Sequence, residues 1–178
     1  MRVEKVERRA EQVLASVPAW IWDGESLPIP IADNCAGLLV RDVEDMSAAP
    51  GCPELGAGQA LSGLLLPSVG EIWVNAEEAR LWPARRRFTI AHELGHWYLH
   101  QREQTSLFCR HGQVEAEGEA ERPPLPRIEE EANQFAASLL MPAEMVRREY
   151  AAGRGFESLC ETFNSSGAAM GRRLRQTV

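Results

Sequence analysis

The sequence predicts an α+β domain: a small three-stranded, mainly antiparallel sheet packed on two central helices, with short helices appended at the C-terminus. Three observations predict it. Phe88 to His100 is apolar on nearly every side, which marks a buried helix rather than a surface one. Leu61–Leu66 and Glu71–Asn75 read as strands joined by a short Pro-Ser-Val-Gly turn, the pattern of an antiparallel hairpin. Arg127 to Leu140 is a second long helical run, closed by Met141-Pro142.

The bulk numbers bound the class of protein. A chain of 178 residues suits one domain with a small appendage. We expect residues 1–152 to form the main domain and 153–178 a short segment shaped like a helix-turn-helix. The net charge of -7 argues against a protein built to grip phosphate backbones. The first residues lack an apolar signal-peptide core, and no stretch is long enough to span a bilayer. Both point to a cytoplasmic protein without membrane partners. Cys35, Cys52, Cys109 and Cys160 are scattered without a CxxC pair, as free thiols would be. Cys109 and His111 have metal-pair spacing, but one such pair reads as ordinary loop.

Taken in order, Val3, Val6, Ala10, Val13, Leu14 and Val17 recur at helical spacing and predict an amphipathic helix over 2–17, ended by Pro18. Residues 18–34 carry Trp20, Trp22 and several prolines and read as an irregular wrap. Gly37–Val43 is the first strand, 44–59 a loop, and the hairpin follows. Asn75 and Glu78 fit a capping box that starts a short helix. Trp82 before Pro83 separates it from the next helix, expected over 83–101 with Pro83 in the first turn. Residues 102–126 read as a long polar loop, acidic over 111–126. After Pro142 come helices at 143–151, 157–163 and 168–174.

The chemistry is concentrated in Ala91-His92-Glu93-Leu94-Gly95-His96. Residues i and i+4 are neighbours on a helix, so His92 and His96 can bind one metal ion together. Glu93 sits one residue round, within reach of a metal-bound water without being a ligand. Two buried histidines need partners, and a metal is an efficient one.

A catalytic zinc usually takes a third protein ligand. The extended pattern HExxHxxGxxH is excluded, because Leu99 and Arg102 stand at its Gly and third His positions. His100 would make three ligands on one straight helix spanning about 12 Å, too far for one ion, and is expected at the surface or behind a ligand. A glutamate from the second helix is the other solution. Glu129 and Asn133 share a face, so Glu129 can bind the metal while Asn133 holds the outer nitrogen of a ligand histidine. That pairing favours Glu129 over Glu130; Glu130 and Glu131 read as solvated charges.

The motif Ala-His-Glu-Leu-Gly-His, the run Gly70 to Ile90 before it, and Glu129 to Pro142 together resemble the ImmA/IrrE family of metallopeptidases over most of residues 36–142. The resemblance implies a compact zincin-like domain, with His92, His96 and Glu129 as zinc ligands and Glu93 as the catalytic carboxylate. It implies a protein substrate, a helix-turn-helix repressor whose cleavage induces genes. Manganese or iron could replace zinc in such a donor set. The acidic loop at 111–126 has no place in the family pattern.

Peptide hydrolysis would then use the metal-bound water with Glu93 as base. Glu71–Val74, if an edge strand, could hold an extended substrate. Tyr150, His111 and Arg85 to Arg87 are candidates for oxyanion stabiliser, with Tyr98 expected on the far side of its helix. The three arginines also suit a solvated face or nearby acids. Two rival readings stand: a DNA-binding regulator using Arg172, Arg173 and Arg175, and a non-catalytic antirepressor. The acidic chain disfavours the first and the intact Glu93 the second.

Overall fold

The computed structural model describes residues 3–31, 37–49, 52, 60–100, 108–112 and 125–178, with 108–112 described as backbone. Val6, Ala10 and Val13 form the buried stripe of α1 (Val3–Ala15). The Ser16 hydroxyl donates to the Val13 carbonyl at 2.7 Å at its end. The following wrap is anchored by buried Trp22, whose indole N–H donates to the Ser26 carbonyl at 2.8 Å.

The sheet contains β1 (Leu39–Val43), β2 (Ala60–Leu66), β3 (Glu71–Asn75) and β4 (Phe108–Gly112), in the order β1-β3-β2-β4. The expected hairpin is present: β2 and β3 are antiparallel, with Gly63 opposite Val74 and Leu66 opposite Glu71. β1 runs parallel to β3, and β4 antiparallel to β2. Two expectations need correction here. β3 lies between β1 and β2, so it has no open edge for a substrate. The stretch read as a polar loop supplies a fourth strand. Phe-Cys-Arg-His-Gly lacks the alternation that signals a strand. Its extended form comes instead from pairing with the backbone groups of β2, a contact between distant parts of the chain.

β2 has a register irregularity between Leu61 and Gly63. Beyond it, Leu64 and Leu66 face a small cluster with Met46 and Ala49, while Leu65 faces the main core. Leu61 shares the cluster of Leu64, three positions on, which strict alternation would forbid. The slip turns Ser62 and Gly63 together toward the helices, as a bulge does.

Asn75 caps α2 (Ala76–Leu81) by accepting from the Glu78 N–H at 3.0 Å. The reciprocal half of the capping box does not form. The Glu78 carboxylate instead accepts from the Ser62 hydroxyl at 3.1 Å and pairs with Arg85 at 2.9 Å. α3 (Pro83–Leu99) begins at Pro83, as expected, and buries every residue from Thr89 to His96. α4 (Arg127–Leu140) packs against it: His100 meets Glu131, Gly95 meets Ala132, and His92 meets Asn133. The main core fills the space between the sheet, α1, α3 and α4.

α5 (Ala143–Ala151), α6 (Phe156–Phe163) and α7 (Gly167–Thr177) complete the chain. Asn164, in the left-handed region at φ 46°, ends α6, and Ser166 caps α7 by accepting from the Ala169 N–H. Leu159, Phe163 and Met170 belong to the same buried cluster as Val6 and Phe135. Arg173 of α7 is buried too. Its guanidinium donates to the Met141 carbonyl at 2.7 Å and to Glu7 of α1 at 2.6 Å. Removing one partner of such a buried pair strands the other. Arg173→Ala is expected to cost about 3 kcal/mol in urea unfolding, and Glu7→Gln less, about 1 kcal/mol.

Candidate metal centre

α3 carries His92, Glu93 and His96 into the interior, at 1%, 0% and 0% exposure. The i,i+4 spacing brings the two imidazoles to an edge-on arrangement, with Nε2 of each 3.1 Å apart. α4 brings Glu129 to the same point. Its Oε2 lies 3.2 Å from His92 Nε2 and its Oε1 3.2 Å from His96 Nε2. The three side chains form a group able to hold a metal ion.

The outer nitrogens decide what faces inward. His92 Nδ1 lies 3.0 Å from Asn133 Oδ1, which can only accept, so His92 carries its proton on Nδ1. Its Nε2 then presents a lone pair. An anionic carboxylate and imidazole lone pairs around one point call for a cation. Two bonds of about 2.05 Å at the tetrahedral angle would separate donor atoms by about 3.3 Å, close to the 3.1–3.2 Å seen. The residues present therefore fit a metal ion.

Two glycines make the arrangement possible. A Cβ on Gly95 would lie 2.9 Å from Ala132 Cα and 3.1 Å from Ala132 O, so α3 and α4 approach closely enough for Glu129 to reach the histidines. A Cβ on Gly63 would lie 2.3 Å from Thr89 Cγ2 and 3.0 Å from Glu93 Oε1. The bulged backbone of β2 thus forms the wall behind Glu93. Gly63→Ala should displace Thr89 and crowd Glu93 while leaving His92, His96 and Glu129 in place, lowering activity at least about tenfold with metal content unchanged. Metal analysis beside a hydrolysis assay checks this.

The other expected residues fall as follows. Asn133 holds His92, as its spacing predicts. Glu130 is exposed, but Glu131 is buried, and this corrects its reading as a solvated charge. Glu131 pairs with Arg127 and with His100, which is buried rather than at the surface. Burial of Glu131 could have been suspected from the i,i+4 spacing of Arg127 and Glu131 and from His100 standing one turn after His96. Arg85 pairs with Glu78 and Arg86 with Asp42, as nearby acids would have it. Arg87 is half-buried, and burial lowers its pKa. Tyr98 packs on Phe135, with Arg9 of α1 over its ring, away from the metal site. Tyr150 is 49% exposed on α5. The side chains of Cys109 and His111, and the acidic stretch 113–124, lie outside the described residues.

Residues 62–175, from the bulge in β2 to the last turns of α7, match the IrrE N-terminal-like domain. The chain belongs to this peptidase family. The matched span contains both histidines, Glu93, Glu129, Asn133 and the helices α5 to α7. A metallopeptidase family and a His-His-Glu group with both histidines buried agree in chemistry. No curated protein matches the chain. Among the described residues, no helix is long and apolar enough to cross a membrane.

Proposed function

We propose that the chain is a zinc-dependent endopeptidase, with His92, His96 and Glu129 as ligands and Glu93 as general base. The observation that carries this is the convergence of three ligand atoms beside a buried glutamate, in a chain of a peptidase family. Zinc, when bound there, lowers the pKa of its water to about 7 and polarises the scissile carbonyl. Glu93 takes the water's proton during attack and delivers it to the leaving amine. Asn133 keeps the His92 ring in the tautomer that leaves Nε2 free to bind. Zinc suits two imidazoles and one carboxylate; manganese or iron is the alternative occupant.

The extended substrate would pair with β4. Gly63, which backs Glu93, pairs with Arg110 of β4, and among the described residues β4 is the outer strand on that side of the sheet. The substrate class we propose, a helix-turn-helix repressor whose cleavage releases gene expression, rests on the motif resemblance alone. The rival DNA-binding reading loses one of its three arginines to the interior, where Arg173 binds Met141 and Glu7.

The test has two parts. Protein purified without added metal should hold about one zinc per chain by mass spectrometry, and His92→Ala should hold none. The metal-loaded chain should then cut a repressor encoded beside its gene at one site, seen by intact mass, and chelation should stop the cut. A metal-free wild type that still relieves repression would move the reading to an antirepressor.

A further inference from the structure

The two histidines of the centre are supported unequally. His92 ends on the amide of Asn133. Behind His96 a longer chain begins. His96 Nδ1 lies 3.3 Å from His100 Nδ1, His100 Nε2 lies 3.1 Å from Glu131 Oε2, and Arg127 Nε lies 2.9 Å from Glu131 Oε1. His100 reaches this place because α3 has ended: its backbone leaves the helix at φ -119° and ψ 19°, while its N–H still donates to the His96 carbonyl at 3.0 Å. His100 and Glu131 are 4% and 7% exposed. The Arg127 side chain is 76% exposed. The chain therefore runs from the centre to the surface.

Proton placement along these contacts is set by chemistry. For His96 to offer Nε2 to a cation, its proton must sit on Nδ1. Nδ1 of His100 must then accept, which leaves the His100 proton on Nε2. That proton is donated to Glu131, and the same carboxylate accepts from Arg127. Each hydrogen bond of the series has one donor and one acceptor: His96 donates to His100, His100 to Glu131, and Arg127 to the same carboxylate, which leaves His96 Nε2 bare.

We propose that His100, Glu131 and Arg127 are positioning residues for the metal, fixing the ring and tautomer of His96 and strengthening its hold on the ion. The proposal rests on His92, His96 and Glu129 being the ligands. None of the three residues touches the ion itself. Outer partners of ligand histidines typically change metal affinity 10- to 100-fold.

The experiment measures zinc affinity of the full chain by competition with a chromophoric chelator. His100→Phe keeps bulk and removes the acceptor; it should bind zinc roughly 10- to 100-fold more weakly. His100→Gln, whose amide oxygen can still accept from His96, should recover most of that loss, which a purely space-filling role would not produce. Glu131→Gln should weaken binding about tenfold, and adding it to His100→Phe should cost little more, since the links act in series. Asn133→Ala acts on the other histidine and should add in full. Arg127→Ala changes only an exposed side chain, so a loss of affinity with unchanged thermal stability supports the relay even if a core variant fails to fold. Wild-type affinity in Arg127→Ala and Glu131→Gln, in protein whose His92→Ala variant loses the ion, overturns it. A wild-type chain that binds no zinc overturns the ligand assignment and the relay with it.

Discussion

Glu93→Gln should lower the rate of peptide hydrolysis by about 10²- to 10⁴-fold while leaving zinc content and substrate binding intact. The side chain is fully buried, next to a ligand histidine and against the backbone of Gly63. Gln has nearly the same shape, so the substitution keeps the packing and removes the proton acceptor. The effect should fall on kcat rather than KM, because the proton moves in the transition state and the bound substrate gains nothing from it. The comparison with His92→Ala separates two failures. That variant should lose the metal and activity together, whereas Glu93→Gln should lose activity alone. An unchanged rate in zinc-loaded Glu93→Gln would remove Glu93 from the mechanism.

Gly95→Val should weaken zinc binding strongly through a residue outside the metal group. Even a methyl at this position meets the backbone of Ala132 at 2.9 Å, and backbone cannot swing away as a side-chain tip can. The helix containing Glu129 must therefore move out, and overpacking of this kind costs about 1–3 kcal/mol. Gly95→Ala is the milder case, because alanine regains about 1 kcal/mol of helix propensity against the same contact. Zinc affinity should fall at least about 100-fold for valine and less for alanine, by chelator competition. Ala132→Gly should rescue little, since the two shortest contacts are with Ala132 Cα and O rather than its methyl. Full rescue would mean that the helices meet through side chains and that the glycine is replaceable.

What could be read from the chain was local. His92 and His96 are four residues apart, as are Glu129 and Asn133, and helix geometry turns such spacings into shared faces. The starts of α3 and α5 follow from Pro83 and Pro142 in the same way. What could not be read depends on residues far apart. β4 is a strand because β2 offers it an edge. β3 is central because β1 returns to pair with it in parallel. Glu131 looked like one more charge in an acidic run until His100 closed over it. Gly63 looked like an ordinary strand residue, since nothing in its neighbours announces a bulge or a glutamate behind it. The residues of the candidate metal group were therefore legible, while the walls that shape it were not.

The bond between Glu7 and Arg173 joins positions 166 residues apart. A ribosome releases Glu7 well before Arg173, which follows the histidines, α4, α5 and α6. α1 packs on α4, so the helix that backs Glu129 acquires this anchor only once α7 has been made. Contacts of such long sequence separation slow folding. Nascent chains halted before residue 173 should carry every ligand yet leave α1 easy prey to proteases, and completion of α7 should protect it.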